Sequence, residues 1–334
     1  MDISIIKDEV KDAYGIEICF IEKIKNVYKL QGDSKTYCLK VINYNYNHFL
    51  FILSAIKHLQ YNGFEKVPEI IETKEGHSYI CICGKFAYLT EWLNCRQCNY
   101  DNPVELCIAA STLGELHVKS QGFNIENNME PRIGWLKWIE TFNIRRNEIF
   151  DFRERILKKK NKTEFDYLYL KNMPKELEIA ESSIINLCQS EYIYQMKEEM
   201  GYRGFCHHDY AHHNVLIDKN ERANIIDFDY CILDSHLHDL CSLMIRKMKN
   251  SKWDIRYVNL IIEAYSKNIE IENIEIPIMA AFIEFPQDYW QLGIQYYWER
   301  KDWEQKTYIN KLSKIYEDNE EKLELLDDFK RIKL

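Results

Sequence analysis

Gly204-Phe205-Cys206-His207-His208-Asp209-Tyr210-Ala211-His212-His213-Asn214-Val215-Leu216-Ile217, followed by Ile225-Ile226-Asp227-Phe228-Asp229, decides how this chain is read. The pattern is His-x-Asp, four residues, Asn, then a short hairpin and an apolar strand that ends in Asp-Phe-Asp. Asp209 and Asn214 lie close enough on one tight loop to face the same side. Asp227, at a strand end, approaches from the other side. Three oxygen-bearing side chains in this arrangement suit a divalent cation, because hard cations select oxygen ligands.

Phosphoryl transfer needs these parts. One carboxylate orients or receives the attacking hydroxyl, while an amide oxygen and a second carboxylate hold Mg2+ across the phosphates of ATP. Asp209 is read as the catalytic group, and Asn214 and Asp227 as the metal ligands. His207 is expected to anchor the loop through ring hydrogen bonds rather than to move protons. His208, His212 and His213 put further imidazoles at the same mouth. They flank positions that the divalent-cation reading already explains, so a transition-metal site is not invoked.

Upstream, Thr36-Tyr37-Cys38-Leu39-Lys40-Val41-Ile42 reads as a strand bounded by the turn Gly32-Asp33-Ser34. A lysine inside such a strand is costly unless its ammonium is paired, and ATP phosphates are the expected partner of Lys40. Phe49, Ile52, Ile56 and Leu59 step at helical spacing until Asn62-Gly63. Glu69 to Thr73, His77 to Cys83 and Phe86 to Trp92 complete a β-rich first ninety residues with one helix. The backbone around Glu91 and Leu93 is expected to meet the adenine edge. From about Asp101 the period becomes helical, and residues 135 to 200 read as two or three helices. Asp239, in His238-Asp239-Leu240, opens a helix, either capping it or accepting N–H bonds from the loop. The chain is thus read as α+β: residues 1–90 form a small lobe of antiparallel sheet plus one helix. Residues 91–334 form a helical lobe that carries the loop 204–217 and the strand end 225–229.

The 334 residues are 46% hydrophobic and 29% charged, with 11 Gly and 6 Pro, which describes a folded, helix-rich protein. A formal net charge of -9 gives no basic face for nucleic acid. The run Lys158-Lys159-Lys160-Asn161-Lys162 reads as a solvated helix end. No apolar run reaches the roughly 18 residues of a membrane span, and the start Met1-Asp2-Ile3-Ser4-Ile5 lacks signal-peptide character. Eleven scattered cysteines fit a reducing compartment better than a disulfide framework. Cys81, Cys83, Cys95 and Cys98 are read as small apolar side chains rather than zinc ligands. The expected location is therefore cytoplasmic.

His207, Asp209, Asn214, Asp227 and Lys40 together resemble the aminoglycoside/choline-kinase-like phosphotransferases. Within these, Cys206-His207-His208-Asp209-Tyr210, Ile226-Asp227-Phe228-Asp229-Tyr230-Cys231 and His238-Asp239-Leu240 look most like the CotS-type spore-coat family of spore-forming bacteria. Phe285-Pro286-Gln287-Asp288-Tyr289-Trp290, ending in Tyr296-Tyr297, resembles that family's aromatic tail. The resemblance implies a bilobal protein-kinase-like fold, ATP and Mg2+ as cofactors, and a hydroxyl of a small molecule or carbohydrate as acceptor. It also implies synthesis in the mother cell, deposition on the spore coat, and other coat proteins as partners.

Three departures stand out. Lys23-Ile24-Lys25-Asn26-Val27-Tyr28 occupies the place of a glycine-rich phosphate loop. Position 211 is Ala where common protein kinases carry Lys. No carboxylate lies between Asp33 and Glu65, so the helix after the Lys40 strand has none to offer; Glu65, Glu69 or ATP itself are the candidates left to pair Lys40. The alternative reading is a pseudokinase that serves the coat as a scaffold, with the aromatic run Trp290 to Trp303 read as helix core.

Overall fold

The computed structural model describes residues 2–333, which fall into two compact units. The first comprises the residues up to Arg132 together with Arg203–Leu233. It begins with helix α1 (Ile3–Tyr14), capped by the Asp2 side chain and closed by Gly15 in the left-handed region at φ 72°. Strands β1 (Ile18–Ile24), β2 (Val27–Gly32) and β3 (Thr36–Ile42) form a meander, and α2 (Tyr46–Tyr61) follows. Strands β4 (Ile70–Ile71), β5 (Ile80–Ile82) and β6 (Lys85–Glu91) complete an antiparallel sheet in the order β1-β2-β3-β6-β4, with β5 also on β6.

Alternation along the strands divides the faces of this sheet. Tyr28 and Leu30 of β2, Leu39 and Val41 of β3, and Ala87 and Leu89 of β6 join Ile6 and Val10 of α1 in one buried cluster. Lys40 and Ile42, one position out of phase, therefore point from the other face. One helix was expected in the first ninety residues and two are present. Only Ile6 and Val10 of α1 are buried, while Ile3 and Ile5 are exposed, and this blurs its period.

Helix α3 (Pro103–Ser120) starts with Pro after an Asn102 cap. Strands β7 (Arg96–Gln97), β8 (Val215–Ile217) and β9 (Ala223–Ile225) make a second small antiparallel sheet, and a 3-10 turn covers Phe228–Tyr230.

The second unit, Ile133–Tyr202 and the stretch from Asp234 onward, is helical. It holds α4 (Trp138–Lys158), α5 (Glu164–Gln189), α6 (Tyr192–Tyr202), α7 (His236–Met248), α8 (Ile255–Tyr265), α9 (Glu275–Glu284), α10 (Gln287–Gly293) and α11 (Gln305–Phe329), with a π turn at Ile294–Trp298. One aromatic cluster packs Phe152, Phe165, Tyr169, Tyr289, Tyr297 and Tyr308. Trp290, Tyr296 and Trp303 lie against it, so the aromatic run is mostly core, although Trp298 is exposed. Gly293 is needed there, since a Cβ would come within 2.5 Å of the Phe152 ring. Tyr169 and Tyr289 stack with centroids 4.1 Å apart, and each hydroxyl donates to the other residue's carbonyl.

The buried Asp166 completes a capping box with Thr163 at the start of α5. It also pairs with Lys159 at 2.7 Å and accepts from the Tyr297 hydroxyl at 3.1 Å. Lys159 is thus a structural partner of a buried carboxylate rather than part of a solvated run.

Candidate active site

Three anchors set the course of the loop 204–217. Phe205 N–H donates to Ser120 Oγ at 3.2 Å, and Cys206 bridges to Ile232 through paired backbone bonds. The Tyr210 hydroxyl donates to Ala109 O at 2.9 Å. His207, with no exposed surface, is held at both ring nitrogens. Its Nδ1 accepts from Asp209 N–H at 3.3 Å, which leaves the proton on Nε2 to donate to Ile226 O at 2.9 Å. The ring thereby ties the loop to the segment that leads into Asp227, and it packs on Phe228 with centroids 4.7 Å apart.

Asn214 Nδ2 donates to both Asp209 O (2.9 Å) and Asp209 Oδ2 (3.0 Å). Both amide protons being committed, the amide oxygen is the atom Asn214 has left to offer a cation. Strands β8 and β9 pair Val215 with Ile225, and Ile226 N–H donates to Asn214 O at 3.0 Å, so the two segments are locked side by side. Asp227 then turns out of the strand with φ 69° and ψ 63°, in the left-handed region that Asp tolerates better than most residues. His208 has φ 68°. Two such residues flanking one site fit the concentration of backbone strain at functional positions.

Lys40 is only 6% exposed, and its ammonium faces Asp227 Oδ1 and, at 2.9 Å, Asp229 Oδ1. Burial pulls its pKa down, but Tyr88 and the carboxylates of Asp229 and Asp227 outweigh that and hold it above its ordinary value. Asp229 also moves up, chiefly through burial and despite Lys40, with Asp227 adding to the rise. Both groups rise, for different reasons: the ammonium has two carboxylates beside it, whereas Asp229 is buried and has a second carboxylate as neighbour. Glu65 and Glu69, the nearest acids in sequence to the Lys40 strand on its C-terminal side, are both exposed, and the two aspartates take the pairing role instead.

A cavity of about 160 Å3 opens beside Lys40 and Asp227, walled by apolar side chains such as Val27, Ile56, Val67 and Leu216. Glu91 and Leu93 line it as well. Trp92 N–H donates to Thr36 O on β3, so the backbone groups of Glu91 and Leu93 on either side of it point away from β3. The Glu91 carboxylate itself is turned to Lys35. Cys38 also lines the cavity, but burial pushes its thiol up to about 11, so it stays protonated and is no nucleophile.

Residues 7–329 match the family described as Spore coat putative kinase YutH. The chain belongs to that family. The YutH family chain is similar in fold to solved structures of small-molecule phosphotransferases. An aminoglycoside phosphotransferase from Alicyclobacillus acidocaldarius aligns with TM-score 0.83 at 19% identity, covering 96% of this chain and 94% of that one. Spectinomycin phosphotransferase APH(9)-Ia, in complex with ADP and spectinomycin, gives 0.71 at 16% identity and 99% coverage of both chains. Amicoumacin kinase hAmiN, bound to AMP-PNP, Ca2+ and its ligand, gives 0.66 at 11% identity, covering 100% and 96%. Among curated protein sequences nothing matches. The fold is therefore kinase-like of the aminoglycoside phosphotransferase type, with an N-terminal antiparallel sheet and a mostly helical C-terminal part.

Within the YutH family chain, Lys40, Asp209, Asn214, Asp227 and His207 all lie in the first unit and are linked by the contacts above. Asp239 belongs to the second unit, where it is fully buried. It does not cap its helix; Ser235 does, its Oγ accepting from Leu237 N–H at 3.3 Å. His212 and His213 are exposed. Sequence reasoning gave no role to Asp229 or to Arg132, whose guanidinium donates to Asp229 O at 3.0 Å. The absence of carboxylates between Asp33 and Glu65, set beside the spare acid of Asp-Phe-Asp, was the available signal for the first.

Among the described residues, no helix is long and apolar enough to cross a membrane.

Proposed function

We propose that this chain is an ATP- and Mg2+-dependent kinase that phosphorylates a hydroxyl of a small molecule or carbohydrate. The observation that carries the reading is the pair Lys40 and Asp227 on the wall of one apolar cavity, with Asp209 and Asn214 tied to the Asp227 segment through His207 and the Ile226 backbone. The donor set fits the cofactor: side-chain oxygens for a hard cation, an ammonium for phosphate, and apolar walls for a base. Bound Mg-ATP supplies the transferable phosphoryl group and the charge that offsets its oxygens. Asn214 Oδ1 and the Asp227 carboxylate would hold the cation, Lys40 the phosphate oxygens, and the backbone of Glu91 and Leu93 the adenine edge. Asp209, steadied by Asn214 Nδ2 and by His207, would orient the acceptor hydroxyl and take its proton. Such a site works by positioning and charge, so losing one ligand costs orders of magnitude in rate.

The neighbours bound to ADP with spectinomycin, and to AMP-PNP with Ca2+, support nucleotide and divalent-cation use. The family's description supports association with the spore coat, and synthesis in the mother cell with other coat proteins as partners belongs to the same proposal.

The test is thermal stabilisation of the purified chain by Mg-ATP and its loss in Asp227→Ala; no shift at saturating Mg-ATP refutes the nucleotide site. One observation favours a second reading, an inactive coat scaffold: Asp227 already pairs with Lys40. An Asp209→Asn chain that still supports normal spore assembly favours the scaffold, and one that fails favours catalysis.

A further inference from the structure

A buried lysine that grips phosphates needs a resident counter-charge to hold it extended and ionised. In kinases the usual source is a glutamate on the helix after the lysine strand. Helix α2 carries no acidic residue, and its buried face is Phe49, Ile52, Ile56 and their neighbours. Asp227 faces Lys40 but is also the carboxylate that a divalent cation would claim. Asp229 is under no such competing demand. Its Oδ1 is buried and takes no hydrogen bond from another described group, and the ammonium stands 2.9 Å away. Its backbone is fixed twice, by the 3-10 turn Phe228–Tyr230 and by the Arg132 guanidinium on its carbonyl. Arg132 in turn lies over the Tyr44 and Tyr230 rings, 5.2 Å from each centroid.

We propose that Asp229 is the resident counter-ion of Lys40, a positioning residue that stands in for the missing helix glutamate and frees Asp227 for the cation. The inference rests on the kinase reading of this site. It makes the lysine depend on β3 and on the turn after Asp227, and not on where α2 lies. A neutral isostere at 229 leaves Asp227 as the sole partner of Lys40 and holds it back from the metal.

The experiment is a double-mutant cycle over the full chain: wild type, Asp229→Asn, Lys40→Met, and both together. Melting without ligand reads the ion pair. Asp229→Asn lowers the melting temperature in the wild-type background, and raises it in the Lys40→Met background, where it removes an uncompensated buried carboxylate. Calorimetry with Mg2+ and AMP-PNP reads the function. Asp229→Asn weakens Mg2+-dependent nucleotide binding about tenfold when Lys40 is present, and less than about twofold in Lys40→Met. Equal effects of Asp229→Asn in both backgrounds overturn the proposal, since the residue then does not act through Lys40. Wild type that binds no nucleotide refutes the kinase reading instead, and the melting cycle still decides the counter-ion assignment by its change of sign.

Discussion

Replacing His207 by phenylalanine keeps a buried aromatic ring against Phe228 and removes both ring nitrogens. Asp209 N–H loses its acceptor and Ile226 C=O its donor. A buried polar group left without a partner costs about 1–3 kcal/mol. Asp209 and Ile226 are each half-buried, so the lower part of that range applies, and the pair sums to about 2–4 kcal/mol. In a unit of this size, that lowers the melting temperature by about 5–10 °C. On the proposed kinase function, catalysis would suffer separately, because the same ring ties the Asp209 loop to the segment that leads into Asp227. A displacement of about 1 Å at such a site costs roughly 10²-fold in rate. The measurements are calorimetric melting of wild type and His207→Phe, and Mg-nucleotide affinity at a temperature where both are folded. Melting within a degree of wild type, with unchanged affinity, refutes the claim that this imidazole holds the two segments together.

Two further outcomes concern the helical unit. Burial pushes Asp166 up, but Lys159 and the Thr163 bonds outweigh it and hold its pKa below the ordinary value. It therefore contributes stability above the unfolded pKa near 4 that is lost as pH falls through the lower folded value. Asp166→Asn should cost about 2–3 kcal/mol at pH 7 and converge on wild type in strong acid, as read by urea melts across pH. His236 lies between Glu199 and Glu275, with Nε2 3.4 Å from the latter. Burial pulls its pKa down, yet the two carboxylates hold it raised, and Glu275 is itself raised, chiefly by burial. Both shifts have the same sign. The stabilisation from His236 is present below its unfolded pKa of about 6.5 and is lost as pH rises through its higher folded value, whereas that from Glu275 is lost from its own unfolded pKa of about 4.3 upward. Wild type should thus lose stability relative to His236→Gln as pH rises above about 6.5; a difference that stays flat above that pH removes the paired imidazolium.

The segments legible in the sequence are those whose physics is local. Strand β3 occupies the stretch read for it, α2 stops at Asn62-Gly63, and three helices fill residues 135 to 200. The loop from His207 to Asn214 is readable because its spacing alone dictates a tight turn. Helix α1 is not, since two buried residues in twelve give no stripe against the exposed Ile3 and Ile5. Asp239 has the residue type of a cap for α7, yet Ser235 caps it, because capping depends on where the chain turns rather than on which acid stands nearby. The partners of Lys40 are out of reach for another reason. The pair with Asp227 spans 187 positions, and no periodicity carries information over that distance.

The reciprocal tyrosines of α5 and α10 behave as a double latch. A ring that swings out loses its own hydroxyl bond to the opposite helix and breaks the stack as well. Two hydroxyl bonds and one ring stack thus tie the first turn of α10 to α5. Beyond Gly293 the chain continues as the π turn, where the Tyr297 hydroxyl on Asp166 fastens the aromatic tail to α5 a second time.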